Sequence, residues 1–499
     1  MEAGCSRVFH DVRVTVKAFL TGQNRAQGFK TILRCGLRPW VRGGHGSFNA
    51  VQSSLGPGNI KSRLLETADL QSQGRQGQFS LPCYQVREGL EGWVGLHAGG
   101  VRSCQLLSVP AATIHPMHGH PRLVLPAFYL THFAFVGLFV PYFGLYLRTL
   151  GFSDTRIGIL LALIPLAKAA LPGAWGAAAD HWDIRRHLMI FSTWSALLAF
   201  TGFLTVTSFS GCLLVMAVFA AMAVPPLPFV EATTLEYVHT SGRDYGRIRV
   251  FGSISFALVA LLYGRLAGNS TAGMVVPAAL VVLALNAAVT SLVPAPSSPR
   301  RTARVSAAQI LRLPGVGLLL AAGFLMQASH GAYLGFFSLV LEENGYPGFA
   351  VGMAWAGAVV LEVLLMVFSG RLVTALGIRN LMALSVAIAA FRWFLYAGSV
   401  AVPVLLVGQA LHAFTYAGFH VAAVQTMQRL IPAGSRSTGQ AFYSGWTFGA
   451  GIMAGTLYSG IIKDYLGTGP MFVSAGVMAL AALAILLLSA RPRPATVPA

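Results

Sequence analysis

Residues 123–147 read LVLPAFYLTHFAFVGLFVPYFGLYL, a run without a single Asp, Glu, Lys or Arg. As a helix rising about 1.5 Å per residue, it is long enough to cross the roughly 30 Å hydrocarbon core of a bilayer. Hydrocarbon admits only structures that satisfy their own backbone hydrogen bonds, so such a run decides the fold class. Eleven more stretches behave alike: 156–178, 187–208, 211–234, 249–267, 273–293, 315–341, 349–373, 380–399, 403–428, 439–463 and 470–489. The expectation is an all-α integral membrane protein with twelve transmembrane helices.

Composition agrees. Of 499 residues, 55% are hydrophobic and 10% charged, against about 25% charge in soluble domains. A soluble enzyme, a disordered chain and a disulfide scaffold are excluded on that ground. Four of the five cysteines precede residue 117, and no pair has metal-ligand spacing. No cofactor or metal is expected. There is no nucleophile–base set and no phosphate-binding loop, so neither an enzyme nor an ATP-driven pump is expected.

The chain carries 35 Lys+Arg against 16 Asp+Glu, a net charge of +19, of which +7 falls in residues 1–116 and +12 in the remainder. Residues 1–116 are rich in Gly, Ser, Gln and Arg, lack a spanning run and show no periodicity. They read as a poorly structured extension, a targeting segment or the product of an upstream start codon. The third is favoured, since Met117 opens His118-Gly119-His120-Pro121-Arg122 directly before the first span. The rest divides into a six-helix half (117–293), a Pro- and Arg-rich linker (294–314) and a second half (315–499). Sixteen arginines fall at the ends assigned to the cytoplasm, while Arg148, Arg156, Arg265 and Lys463 fall at the far ends. That asymmetry places both termini in the cytoplasm. It also reads the basic excess as orientation and lipid headgroup contact rather than nucleic-acid binding. A bacterial inner-membrane protein, monomeric, is expected.

The two halves repeat at an offset of 194 residues: Gly151-Phe152 against Gly345-Tyr346, Ile157-Gly158 against Val351-Gly352, Gly176 against Gly370, and Arg185 against Arg379. Homologous halves point to a secondary transporter with its site at mid-depth between them. Gly176-Ala177-Ala178-Ala179-Asp180 followed by Arg185-Arg186 resembles the helix 2–3 loop signature of the major facilitator superfamily. Pro141-Tyr142-Phe143, Asp244-Tyr245-Gly246-Arg247 through Gly252-Ser253, and Ser329-His330-Gly331-Ala332-Tyr333 resemble its 3-phenylpropionate permease-like branch, related to nucleoside–proton symporters and lactose permease. The resemblance covers roughly 120–490. It implies the major facilitator fold, proton-linked symport and an aromatic acid as substrate. The second copy carries Thr374 where the first has Asp180, which implies a weaker gate there.

A charge at mid-membrane costs on the order of 2.5–3.5 kcal/mol on insertion scales. Lys168, Glu362 and Arg392 lie near mid-depth, and Lys168 and Glu362 are equivalent in the repeat. The protonation of Glu362 would be set by desolvation against a neighbouring Arg392 or Lys168. In lactose permease an acid on helix 8, an Arg on helix 9 and a His on helix 10 are functional. By helix, the resemblance gives Glu362, Arg392 and either His412 or His420 the proton-coupling role, although helix 10 here has no acid. Lys168, His330, Tyr142, Tyr333, Gln327 and Gln425 are candidates for holding substrate. Gly176, Asp180, Arg185, Arg186, Arg247, Arg249 and Glu231 are candidates for a cytoplasmic latch, with Glu231 alternatively a second proton site. For each, the plainer reading is a packed or hydrogen-bonded core group.

The function expected is proton-coupled import of a small organic substrate such as an aromatic carboxylate. Alternatives are a nucleoside or sugar symporter, a proton-antiport exporter of amphiphiles, and, from another class, a membrane scaffold or sensor. The partners expected are a small molecule, protons and the lipid bilayer.

Overall fold

The structure, a computed structural model, describes residues 120–268, 272–294, 307–432 and 435–488, all within one compact unit, Ile114–Ala499. The expected extension (1–116), the start at Met117 and most of the 294–314 linker lie outside the described residues.

These residues are helical almost throughout, with no strand among them. The helices are α1 (Pro121–Thr149), α2 (Asp154–Ala170), α3 (Pro172–Trp182), α4 (Arg185–Phe200), α5 (Phe209–Ala223), α6 (Pro226–Ser241), α7 (Tyr245–Leu266) and α8 (Val275–Ser291). A short α9 (Ala307–Leu311) precedes α10 (Val316–Glu343), α11 (Gly348–Leu376), α12 (Ile378–Gly398), α13 (Val402–Ala413), α14 (Phe419–Leu430), α15 (Arg436–Ser444), α16 (Ile452–Leu466) and α17 (Thr468–Leu488). π-Helical turns, Phe414–Gly418 and Gly445–Gly451, join α13 to α14 and α15 to α16.

Every stretch expected to span falls on helix. By length and apolarity, nine helical intervals among the described residues suffice to cross a membrane. A tenth is α2 with α3, bent by 47° where Pro172 interrupts the ladder. α8 is apolar but has 17 residues, and 436–466, rich in Gly, Ser and Thr, is less apolar than the nine. Local signals set the boundaries. Ser153, Ser208 and Asp244 cap α2, α5 and α7 by accepting the amides of Arg156, Gly211 and Arg247.

The backbone carries the repeat. Gly151 and Gly345, 194 positions apart, both turn at φ 79°. Asp183 (φ 51°) and Gly377 (φ 75°) form another equivalent pair in the left-handed region. Packing repeats as well. α1 lies against α7 and α8 as α10 lies against α16 and α17, and α4 meets α8 as α12 meets α17.

The two most extensive crossings between the first set of helices and the second are α2 on α16 and α7 on α11. Both depend on small residues that let backbones approach. A Cβ on Gly158 of α2 would stand 3.0 Å from the Thr456 carbonyl of α16. A Cβ on Gly352 of α11 would stand 2.7 Å from the Tyr142 hydroxyl and collide with the Ala260 carbonyl of α7. Tyr142 itself is fully buried and donates to the Ala260 carbonyl at 2.6 Å, so it bolts α1 to this crossing.

Gly352→Ala should therefore lower the melting temperature of the detergent-solubilised protein, an overpacking cost of about 1–3 kcal/mol. Gly357→Ala, whose Cβ meets nothing within 4 Å, should leave it unchanged or raise it. Equal melting of the two variants would contradict the close α7–α11 approach.

Candidate functional site

Between the two sets of helices lies a cavity of about 480 Å³. Its wall is mostly aromatic and aliphatic, with Phe133, Phe139, Phe219, Phe256, Trp355 and Phe448 among the rings. Into it project Lys168 from α2, His132 from α1, Arg249 from α7, Asn286 from α8, Glu362 from α11 and His412 from α13. Its lining includes Pro226 and Leu227 at the start of α6 and Arg249 one turn into α7.

Lys168 and Glu362, the repeat-equivalent pair of opposite sign, share this cavity without forming an ion pair. Among the described residues no carboxylate lies within 4.0 Å of the Lys168 ammonium, since the ion pairs found involve other cations. Its charge faces the cavity. Glu362 meets His412 instead, with Oε2 3.9 Å from Nε2.

Behind that pair stands Arg392, fully buried. It directs Nη1 to His412 Nδ1 at 3.1 Å and donates Nη2 to Gln409 Oε1 at 3.2 Å. Its guanidinium lies 4.2 Å from the Tyr333 ring centroid, a cation–π contact. Tyr333 closes the set by donating its hydroxyl to Gln409 Oε1 at 3.0 Å. A guanidinium has donors and no acceptor. His412 Nδ1 must therefore accept, and the ring proton sits on Nε2, toward Glu362. The three residues expected from helices 8, 9 and 10 thus stand side by side, with Glu362 and His412 beyond hydrogen-bond distance, and His412 rather than His420 lies in that line.

Other candidates stand elsewhere. His330 is fully buried behind the wall, with Nδ1 2.9 Å from the Met326 carbonyl, Nε2 3.4 Å from Thr415 and its ring edge-on to Trp393. Tyr142 and Tyr333 are buried hydrogen-bonded bolts, so neither offers its ring to the cavity. Gln425 and His420 do not line it, and the His420 ring meets Phe448 edge-on. In each case depth can be counted along the chain, whereas rotation about the helix axis cannot.

The expected latch also divides. Arg185 donates to Asp180 at 2.6 Å, a pair within one loop. Arg186 donates to the Ser291 carbonyl at 2.8 Å, tying α4 to α8, and Arg379 reaches the Leu486 carbonyl of α17 in the second copy. A Cβ on Gly176 would meet nothing within 4 Å, and the Arg247 amide serves the α7 cap. Arg249 also reaches the cavity. One turn into α7, its guanidinium lies 4.1 Å from the Phe133 centroid and lines the cavity. Glu231 hydrogen-bonds Tyr245 and feels the Arg249 charge.

The sequence reading missed the opposite end. There Arg148 of α1 bonds Asp154 of α2 and Glu343 of α10, the latter at 3.0 Å. Lys463 of α16, with a side chain 4% exposed, reaches Asp154 at 3.0 Å and Glu343 at 2.5 Å. The Thr155 amide donates to Asp464 at 3.3 Å. Two cations and two carboxylates close a ring across both sets of helices and seal that end. The correspondence of Arg148 with position 342 in the repeat was the available signal.

Comparison with known proteins places these features. Residues 123–474 match the family model described as MFS_1 like family. A probable 3-phenylpropionic acid transporter of Escherichia coli (strain K12) is 28% identical over 384 residues, 74% of this chain and 96% of that protein. A maltose permease of Geobacillus stearothermophilus is 27% identical over 374 residues, 74% of this chain and 95% of that one. The crystal structure of the nucleoside transporter NupG superposes with a TM-score of 0.63 at 19% identity, over 73% of this chain and 98% of that one.

Breaking a buried ion pair by removing one partner costs about 3–5 kcal/mol. Lys463→Met should therefore weaken the sealed end, raising the labelling rate of a cysteine placed at Leu161, which lines the cavity, by a water-soluble thiol reagent applied from the sealed side. Arg371→Met, remote from the ring, should not. Equal labelling in both backgrounds would show that the ring does not hold that end shut.

Proposed function

The chain belongs to the MFS_1-like family, a membrane transporter of the major facilitator superfamily, and from that premise we propose that it imports a small aromatic carboxylate together with protons. The observation that carries this reading is one cavity holding an unpaired ammonium, Lys168, and a carboxylate in line with a buried cation, Glu362–His412–Arg392, among aromatic rings. A carboxylate on Lys168 makes a charge-assisted contact out of bulk water, where it is strongest. The aromatic remainder is covered by rings such as Phe139, Phe219 and Phe256. Glu362 exchanges its proton with water on whichever side the cavity is open.

Transport then follows alternating access. With the charge ring closed, the cavity faces the end bearing the α3–α4 loop, the cytoplasmic side by the distribution of arginines. The protein sits in a bacterial inner membrane as a monomer with both termini inside. Reopening the other end requires the ring and the α2–α16 and α7–α11 crossings to part while the opposite end closes.

A second reading is a symporter of a neutral nucleoside or sugar. It is favoured by Asn286, which lines the cavity and donates to Thr131 at 3.0 Å, and by the maltose permease and nucleoside transporter among similar proteins. In that case Lys168 would contribute little to binding.

Reconstituted into liposomes, the protein should accumulate labelled 3-phenylpropionate when an inward proton gradient is imposed. Glu362→Gln should abolish accumulation and leave exchange measurable. Persistence of accumulation would remove Glu362 from coupling. Lys168→Met should raise the half-saturating concentration about tenfold or more, as expected for losing a hydrogen bond to a charged group. An unchanged value would favour the neutral substrate.

A further inference from the structure

Behind the cavity wall, between α10 and the α15–α16 interval, buried polar atoms stand without partners. Gln327, Tyr443 and Thr447 are fully buried. Among the described residues, both Gln327 amide atoms and the hydroxyls of Tyr443 and Thr447 lack a hydrogen bond, as does His420 Nδ1. An unsatisfied buried polar group costs about 1–3 kcal/mol, so several together call for a common occupant.

Gln327, Tyr443 and Thr447 meet along one seam. A Cβ on Gly323, one turn before Gln327, would lie 3.0 Å from Thr447 Oγ1 and 3.6 Å from the Tyr443 ring. A Cβ on Gly451, one turn after Thr447, would lie 3.2 Å from Gln327 Cβ. Phe448 separates this niche from the cavity. It lines the cavity wall, and its ring meets Tyr443 at 6.1 Å and His420 at 5.3 Å. The neighbouring π-helical position, Gly449, packs on α2 so closely that a Cβ there would be 2.7 Å from the Ala169 amide, the residue after Lys168. The backbone of α2 beside Lys168 is therefore in contact with the π-helical turn that carries Phe448. Phe448 also sits in a glycine-flanked π-helical turn, an irregular backbone that recurs at functional sites.

We propose that this niche is the second end of the substrate site and takes a neutral hydroxyl group carried on the aromatic ring of the bound acid. The inference rests on the reading of the cavity as a site for aromatic carboxylates. A carboxamide, two hydroxyls and an imidazole supply donors and acceptors without a formal charge. A hydroxyl both gives and takes hydrogen bonds there, whereas a second carboxylate or an ammonium would be buried without a counter-charge. Turning the Phe448 ring aside joins niche to cavity, with the carboxylate held on Lys168 and the ring hydroxyl reaching Gln327 and Thr447.

The test is equilibrium binding of 3-phenylpropionate and its ring-hydroxylated analogue to the purified full chain and to Gln327→Leu and Thr447→Val. The wild type should bind the hydroxylated acid about tenfold more tightly or better, the discrimination a hydrogen-bonding site shows against an analogue lacking the group. Both variants should lose that preference while binding 3-phenylpropionate as the wild type does. Equal affinity of the wild type for the two acids would overturn the proposal and point to water as the occupant. An equal loss of both acids in the variants would overturn it in favour of a packing role. Failure of the wild type to bind either acid would instead overturn the reading of the cavity, and the niche proposal with it. Lys168→Met should weaken both acids alike, which separates the anchor from the niche.

Discussion

A charge carried into hydrocarbon has to be answered by another group or opened onto a water-filled space. The molecule is organised around that constraint. Arg392 is answered by His412 and Gln409 at its two terminal nitrogens and by the faces of Tyr333 and Trp393. Lys463 is answered by two carboxylates from different helices. Lys168 and Arg249 are left to the cavity, Arg249 stacked on Phe133. The helices are positioned so that each cation has one of these outcomes, and the cavity lies where answers within the protein run out.

The same constraint separates parts that hold from parts that act. At the sealed end, glycine crossings and the charge ring leave little space, and contacts there join the two sets of helices. Toward the other end, ion pairs and caps such as Asp180–Arg185 stay within one set. The irregular backbone lies between. Two π-helical turns place Tyr416 and Phe448 on the cavity wall. A π-helical turn disturbs the 3.6-residue rhythm, so residues that a regular helix would turn away are presented to the site.

Much of this was legible in the sequence. Apolar length found the helices, the 194-residue offset found the paired turns at Gly151 and Gly345, and charge at mid-depth found Lys168, Glu362 and Arg392. Depth along a helix can be counted from sequence, but rotation about its axis cannot when nearly every position is apolar. That is why His330 and Tyr142 looked like site residues and are bolts, and why Arg249 looked like a loop residue and lines the cavity. The charge ring escaped because Arg148, Asp154, Glu343 and Lys463 each sit at a helix end, where a lone charge reads as solvated. Only the fold brings them together. The niche around Gln327 and Thr447 escaped for a related reason, since its residues are neutral and far apart along the chain.

The wall of the cavity, among the described residues, carries one carboxylate, Glu362. On the proposed reading, one proton carried on that single acid would move with each anion. The two charges cancel, and the loaded form crosses without moving net charge through the membrane field, which acts at about 2.3 kcal/mol per charge per 100 mV. Accumulation would then answer to the difference in acidity across the membrane and be indifferent to its voltage. A cell could fill itself with such an acid even when its membrane potential has collapsed, provided the outside stays the more acidic side.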